Sequence, residues 1–150
     1  MIKTIMQAHR SNLLYRVTNN GQYNAIKMRV LIIDDNEDVS EAISDYLESI
    51  GDSCTCLNKG KQGLEVIKKE GHNYDAIILD LAMPDISGYD VLESLKNEGL
   101  LKPNKIIIST ASIVDKDVEE MLSIGVKAIL RKPLSLEHLD ETMSRFRHSK

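Results

Sequence analysis

The 150-residue sequence has no tryptophan, one phenylalanine and five tyrosines, so any core it builds is mainly aliphatic. Its two cysteines, Cys54 and Cys56, are separated by one residue. Structural disulfides and zinc sites need more cysteines or a wider spacing, so this pair reads as two reduced thiols on one face of a strand. No apolar run approaches the roughly 18 to 20 residues that a membrane span needs, and the N-terminus lacks the continuous apolar stretch of a signal peptide. The expectation is a soluble, cytoplasmic protein with no membrane role. The length suits one domain, and an apolar fraction of 42% is ordinary for one well-formed core.

Charge is unevenly spread. Residues 1–27 carry Lys3, Arg10, Arg16 and Lys27 and no acid, a balance of +4, against −4 for the whole chain. The remainder is acidic. Affinity for nucleic acid rests mostly on neutralising phosphates with Lys and Arg, so direct nucleic-acid binding by this body is not expected.

From Met28 onward, strand-like and helix-like patterns alternate. Arg29-Val-Leu-Ile-Ile-Asp34 is a short β-branched run that fits a strand buried on both faces. Val39, Ala42, Ile43, Tyr46, Leu47 and Ile50 then recur at helical spacing, with Asn36 as cap and Gly51 as stop. Further strands fit Ser53 to Leu57, Ala76 to Leu79, Lys105 to Ser109 and Val126 to Leu130. Helices fit Lys61 to Glu70 closed by Gly71, Tyr89 to Asn97, a stretch through Val114, Val118, Met121 and Leu122 ended by Gly125, and a last one using Leu136, Leu139, Met143 and Phe146. Five β-α units imply an α/β fold, a doubly wound parallel sheet with helices on both faces. The flavodoxin-like strand order 2-1-3-4-5 is the commonest solution.

Residues 1–27 do not join this pattern. They read as an N-terminal extension to a domain at 28–147: a dynamic segment, a stretch preceding the real start at Met28, or a functional tail or transit peptide. A weak helical spacing runs through Ile2, Ile5, Met6, Leu13, Leu14 and Val17, before the loop-like Asn19-Asn20-Gly21-Gln22.

Ligands of open parallel sheets bind outside the carboxyl ends of the strands. The first strand ends in Asp34-Asp35, the third in Asp80 and the fourth in Thr110, and Lys132-Pro133 follows the fifth. Carboxylates brought together raise one another's pKa, and a hard divalent cation relieves this. Mg²⁺ takes oxygen ligands and commonly shares them with phosphate. One carboxylate can act as a nucleophile and form an aspartyl phosphate, with metal and Lys offsetting the charge of the transferring group.

The motifs Leu31-Ile-Ile-Asp-Asp35, Ile78-Leu-Asp80-Leu-Ala-Met83-Pro84-Asp-Ile-Ser-Gly88, Ile108-Ser-Thr110-Ala111 and Lys132-Pro133 stand in order, each at an expected strand end. In this the stretch from Met28 to about Arg147 resembles the response-regulator receiver domain of two-component signalling. The resemblance implies that Asp80 is phosphorylated and that Asp35 is a direct metal ligand. Asp34 would assist, partly through water, and the backbone carbonyl of Ala82 would complete the set. Thr110 matches the switch hydroxyl and Lys132 the phosphate-binding lysine, with a cis peptide before Pro133. The implied phosphodonor is a histidine kinase or a histidine phosphotransfer protein. With no output domain after the last helix, the implied role is a stand-alone receiver that acts on a downstream protein or relays the phosphoryl group.

The sequence departs from the family at Ile129, where an aromatic ring usually stands, and at Leu134, where Phe is common. Ile129 cannot reproduce the inward ring movement that couples the Thr to the output surface. Ala82 and Ser112 offer no charged or amide group to position a hydrolytic water, so a long-lived aspartyl phosphate is expected. Two other readings compete. A phosphatase using an aspartyl phosphate would carry a second Asp at the place of Ala82. A phosphorylation-independent interaction module would keep the fold without using the acids. His9, His72, His138 and His148 read as solvated surface residues.

Overall fold

The computed structural model describes residues 5–7, by their backbone, and residues 14–150. Three short strands come first. β1 (Ile5–Gln7), β2 (Leu14–Val17) and β3 (Tyr23–Ala25) form an antiparallel sheet in that order. The helical spacing noted in this stretch is therefore not what forms. Ile5 and Met6 lie in β1 and Leu14 and Val17 in β2, while Ile2 and Leu13 lie outside the described residues. The Asn-Asn-Gly turn, with Gly21 at φ 77, folds β2 back so that Val17 faces Tyr23 and Tyr15 faces Ala25. A short helix gains little without a packed face, whereas aromatic and β-branched residues pair well across strands.

The rest alternates strand and helix. In order come β4 (Arg29–Ile33), α1 (Glu37–Ser49), β5 (Ser53–Leu57), α2 (Gly60–Glu70) and β6 (Ala76–Asp80), then α3 (Gly88–Asn97), β7 (Ile106–Thr110), α4 (Asp115–Ile124), β8 (Ala128–Arg131) and α5 (Leu136–His148). The five strands are parallel in the order β5-β4-β6-β7-β8, which is 2-1-3-4-5 counted within this sheet. The flavodoxin-like α/β fold read from the sequence is the fold that forms.

The strand pattern sorts the core into two layers. Leu31, Ile33, Ile77, Leu79, Ile106 and Ile108 face α2, α3 and α4. Val30, Ile32, Ile78, Ile107 and Leu130 face α1 and α5. Every residue of β6 and β7 is buried, as expected for central strands covered on both faces. Each fully buried aliphatic side chain contributes about 1.5–3 kcal/mol of transfer free energy. Edge strand β5 is largely exposed. There Cys54 is half-buried and Cys56 exposed, and both are free thiols. Burial, with help from Glu48, pushes the Cys54 thiol up to about 12.

Some boundaries move. β7 runs one residue beyond Ser109, to Thr110. β8 starts at Ala128 because Val126 is packed in the core below the strand, and pairing opens with the Lys127 N–H donating to the Ile106 carbonyl (2.8 Å). α2 ends at Glu70 with Gly71 as its cap, as expected, but Gly71 is right-handed (φ −55) and the chain runs on into a 3-10 turn, Gly71–Asn73. Leu136 is 57% exposed rather than in the core.

At the amino end of the sheet lies an ion pair that no local pattern announces. Arg147 of α5 is 1% exposed and binds Asp52 with two hydrogen bonds, 2.5 and 2.6 Å. Asp52 also accepts from the Met28 N–H at 2.9 Å, and Arg147 donates to the Ile26 carbonyl at 3.0 Å. Arg16 of β2 donates to the Lys150 carbonyl (2.9 Å), so the first strands are tied to the end of α5.

Candidate functional site

At the opposite, carboxyl end, the parallel register sets the ends of β4, β6 and β7 side by side. Asp34 follows β4, Asp80 closes β6 and Thr110 closes β7. Asp34, Asp35 and Asp80 each offer a carboxylate oxygen, and these oxygens lie within 4.8 Å of one another. Asp34 and Asp80 are 3% and 4% exposed, whereas Asp35 faces solvent. The Lys132 ammonium donates to Asp34 Oδ2 at 2.6 Å and lies 3.5 Å from Asp80 Oδ1. It arrives from the loop after β8, where the peptide to Pro133 is cis as the resemblance implied.

Local hydrogen bonds hold the acids in place. The Asn36 N–H donates to Asp34 Oδ1 at 2.9 Å, and Asn36 in turn caps α1 by accepting from the Val39 N–H at 3.3 Å. The Ala82 N–H donates to Asp80 Oδ1 at 3.3 Å. Thr110 is buried, and its hydroxyl donates to the Ser112 carbonyl at 3.2 Å. α3 approaches the end of β6 so closely that a Cβ on Gly88 would sit 2.3 Å from the Asp80 carbonyl oxygen. Only a residue without a side chain fits there.

Electrostatics follow from this crowding. Burial pushes the Asp80 carboxyl above its ordinary value and the charge of Asp34 adds to the rise, while Lys132 and the Ala82 N–H offset it in part. Burial works against the Lys132 ammonium, but its bonds and charge interactions with Asp34 and Asp80 outweigh that and hold its pKa above the usual lysine value. Three carboxylates against one ammonium leave a local charge of −2 on an all-oxygen donor set. That set suits a hard divalent cation.

The sequence-predicted acids, Thr110 and Lys132 thus sit on one sheet edge, with Ala82 in the adjoining loop. Among the described residues, none of His72, His138 and His148 joins such a cluster, and His138 is half-buried rather than fully solvated. His9 lies outside the described residues.

A model described as the response regulator receiver domain matches residues 30–144. The chain belongs to the response-regulator receiver family. This receiver is 34% identical over 118 residues to the cell cycle response regulator CtrA of Brucella ovis, covering 79% of this chain and 48% of that protein. It is 28% identical over 117 residues to the sensor histidine kinase RcsC of Salmonella typhi, covering 78% of this chain and 12% of the kinase. The chain therefore spans less than half the length of either relative. The solved Francisella response regulator 1452 receiver domain superposes with a TM-score of 0.71 at 27% identity, covering 82% of this chain and 99% of that one. Chemotaxis protein CheY4 of Vibrio cholerae, at 24% identity, shares the fold with a TM-score of 0.69 over 80% of this chain and 98% of its own.

One residue that matters to the site's loop escaped the sequence reading. Asp85 bonds to backbone 24 and 25 residues away, and no motif or local spacing announces such a contact.

Proposed function

We propose that the receiver unit, residues 28–147, accepts a phosphoryl group on Asp80 and so switches a protein-interaction surface or passes the group onward. The observation that carries this reading is the packing of two buried carboxylates, a third exposed one and a lysine ammonium at the strand ends. In the step, a carboxylate oxygen of ionised Asp80 attacks the phosphorus of a phosphohistidine. The N–P bond breaks as the O–P bond forms, and the imidazole nitrogen keeps the electron pair and takes up a proton. The donor is a histidine kinase or a histidine phosphotransfer protein in the cytoplasm.

Asp35, Asp34, Asp80 and the Ala82 carbonyl would hold Mg²⁺, which supplies positive charge against the phosphoryl oxygens. Lys132, already between Asp34 and Asp80, is placed to follow the negative charge onto the phosphoryl group. The Thr110 hydroxyl would exchange the Ser112 carbonyl for a phosphoryl oxygen, which releases the loop leading into α4. Ile129 is partly buried against the core on β8. Its lack of a ring favours a second reading, in which partner binding is insensitive to phosphorylation. Equal partner binding with and without beryllofluoride would support that alternative.

Incubation with Mg²⁺ and acetyl phosphate tests the main reading. The mass of the wild type rises by one phosphate, and Asp80→Asn stays unmodified. A wild type that stays unmodified where a control receiver is labelled would overturn it.

A further inference from the structure

The loop between β6 and α3 is tied to α2 by an unusual contact. α2 begins after Lys59, whose side chain makes no capping bond, and its first turn carries no acid. The orphan N–H groups of a helix start need acceptors. Here they come from Asp85, in the middle of the loop. Its Oδ1 accepts from the Gly60 N–H at 3.0 Å and its Oδ2 from the Lys61 N–H at 2.9 Å. These bonds, led by that from Lys61, hold the Asp85 carboxyl down at about 2, so it is ionised at any ordinary pH.

A second, independent contact shapes the same junction. A Cβ on Gly60 would lie 2.7 Å from the Ile86 carbonyl oxygen and 2.9 Å from the Met83 methyl. Loop and helix therefore meet backbone to backbone. Met83 is buried in the core beneath them, and Ser87 forms a capping box with Asp90 at the start of α3. The loop is thus anchored on its α2 side by Asp85 and on its α3 side by Ser87. Between Asp80 and the first of these anchors lies Ala82, whose N–H already holds the Asp80 carboxylate.

We infer that Asp85 is a positioning residue that, by capping α2 across Gly60, fixes the loop carrying Ala82 and so sets how tightly the acidic site holds a divalent cation. The inference rests on the reading of this site as a Mg²⁺-dependent phosphoacceptor. It concerns affinity for the ion rather than the chemistry at Asp80, because Asp85 touches the helix and none of the site's charged side chains.

The test is the Mg²⁺ concentration that half-saturates the site in a calorimetric titration, read alongside acetyl phosphate labelling. Asp85→Ala raises that concentration by about tenfold, the low end of what contacts supporting a metal ligand cost. Labelling slows at limiting Mg²⁺ and recovers to near the wild-type rate at saturation. Asp85→Asn keeps one acceptor oxygen and falls between the two. Gly60→Ala, which leaves Asp85 intact but forces the loop away, shifts the Mg²⁺ midpoint in the same direction. A merely structural role would lower Tm in both variants and leave the midpoint where it was, and that result overturns the inference. A wild type with no Mg²⁺ response and no label would instead remove the proposed function, and this inference with it.

Discussion

The two ends of the central sheet each bury charge, but in opposite ways. At the amino end, Asp52 and Arg147 neutralise each other through two hydrogen bonds, and the remaining contacts run to the Met28 N–H and the Ile26 carbonyl. At the carboxyl end, Asp34, Asp35 and Asp80 cluster around one lysine, which pairs with Asp34 and Asp80. The balanced end is a closed structural clasp. The unbalanced end stores repulsion that a cation and a phosphoryl group can relieve. Burial of charge alone does not mark a functional site; burial in excess of the available partners does.

The comparison can be broken most sharply at the clasp. Arg147→Ala leaves Asp52 charged and unpaired in the interior, with an expected loss of about 3–5 kcal/mol in chemical denaturation. Replacing Asp52 and Arg147 together with apolar residues recovers most of that loss, since a balanced pair adds little net stability. Failure of the double variant to recover would mean that the clasp does more than satisfy itself.

At the other end the corresponding cation is Lys132. Lys132→Ala slows labelling by acetyl phosphate by about a hundredfold, the usual scale for removing a group that meets developing charge. Loss of stability without loss of rate would place Lys132 with the structural clasp instead. Mg²⁺ at ten times its dissociation constant stabilises the wild type by about 1.4 kcal/mol, and a chelator reverses the gain. The amino end has no such response, so Arg147→Ala keeps the same Mg²⁺ shift.

Asp80→Asn gives a smaller effect with a definite pH sign. The folded-state pKa of Asp80 is raised above its ordinary 3.8. Its contribution to stability is therefore full below that value and lost as pH rises through the folded-state pKa. The Asn variant escapes this loss. Without Mg²⁺ it melts higher than the wild type at neutral pH, and the two curves converge below about pH 3.8. The smallest effect belongs to Lys150, which pairs with Asp75 at 3.0 Å at the solvent-exposed rim of the amino end. Lys150→Ala costs below about 1 kcal/mol, as for exposed ion pairs generally.

Much of this was legible beforehand. The β-branched runs, the helical spacing after Asp35, the Asn36 cap and the order of acidic, hydroxyl and lysine residues each name an element or a strand end. Parallel sheets then allow few topologies. Local pattern misled where tertiary context overrode it. The apolar spacing of residues 5–17 suits a helix as well as strands, and its described residues, 5–7 and 14–17, pair as strands. Val126 is apolar because it packs beneath the sheet, not because it extends the strand. Gly71 does end α2 as its place in the sequence suggested, but no local pattern announces its close approach to the Asn104 side chain.

What the sequence determined by itself is periodicity and order: which residues face inward, where helices begin, and which acids, hydroxyl and lysine follow which strands. These are local properties, since side-chain spacing and caps act within a few residues. The tertiary structure alone decided the long-range pairings, Asp52 with Arg147 across 95 residues, Lys132 with Asp34 across 98, and Asp85 with α2. A charged side chain takes whichever partner the packed backbone brings within hydrogen-bond reach. That distance does not exist until the sheet has closed and its two ends have been separated.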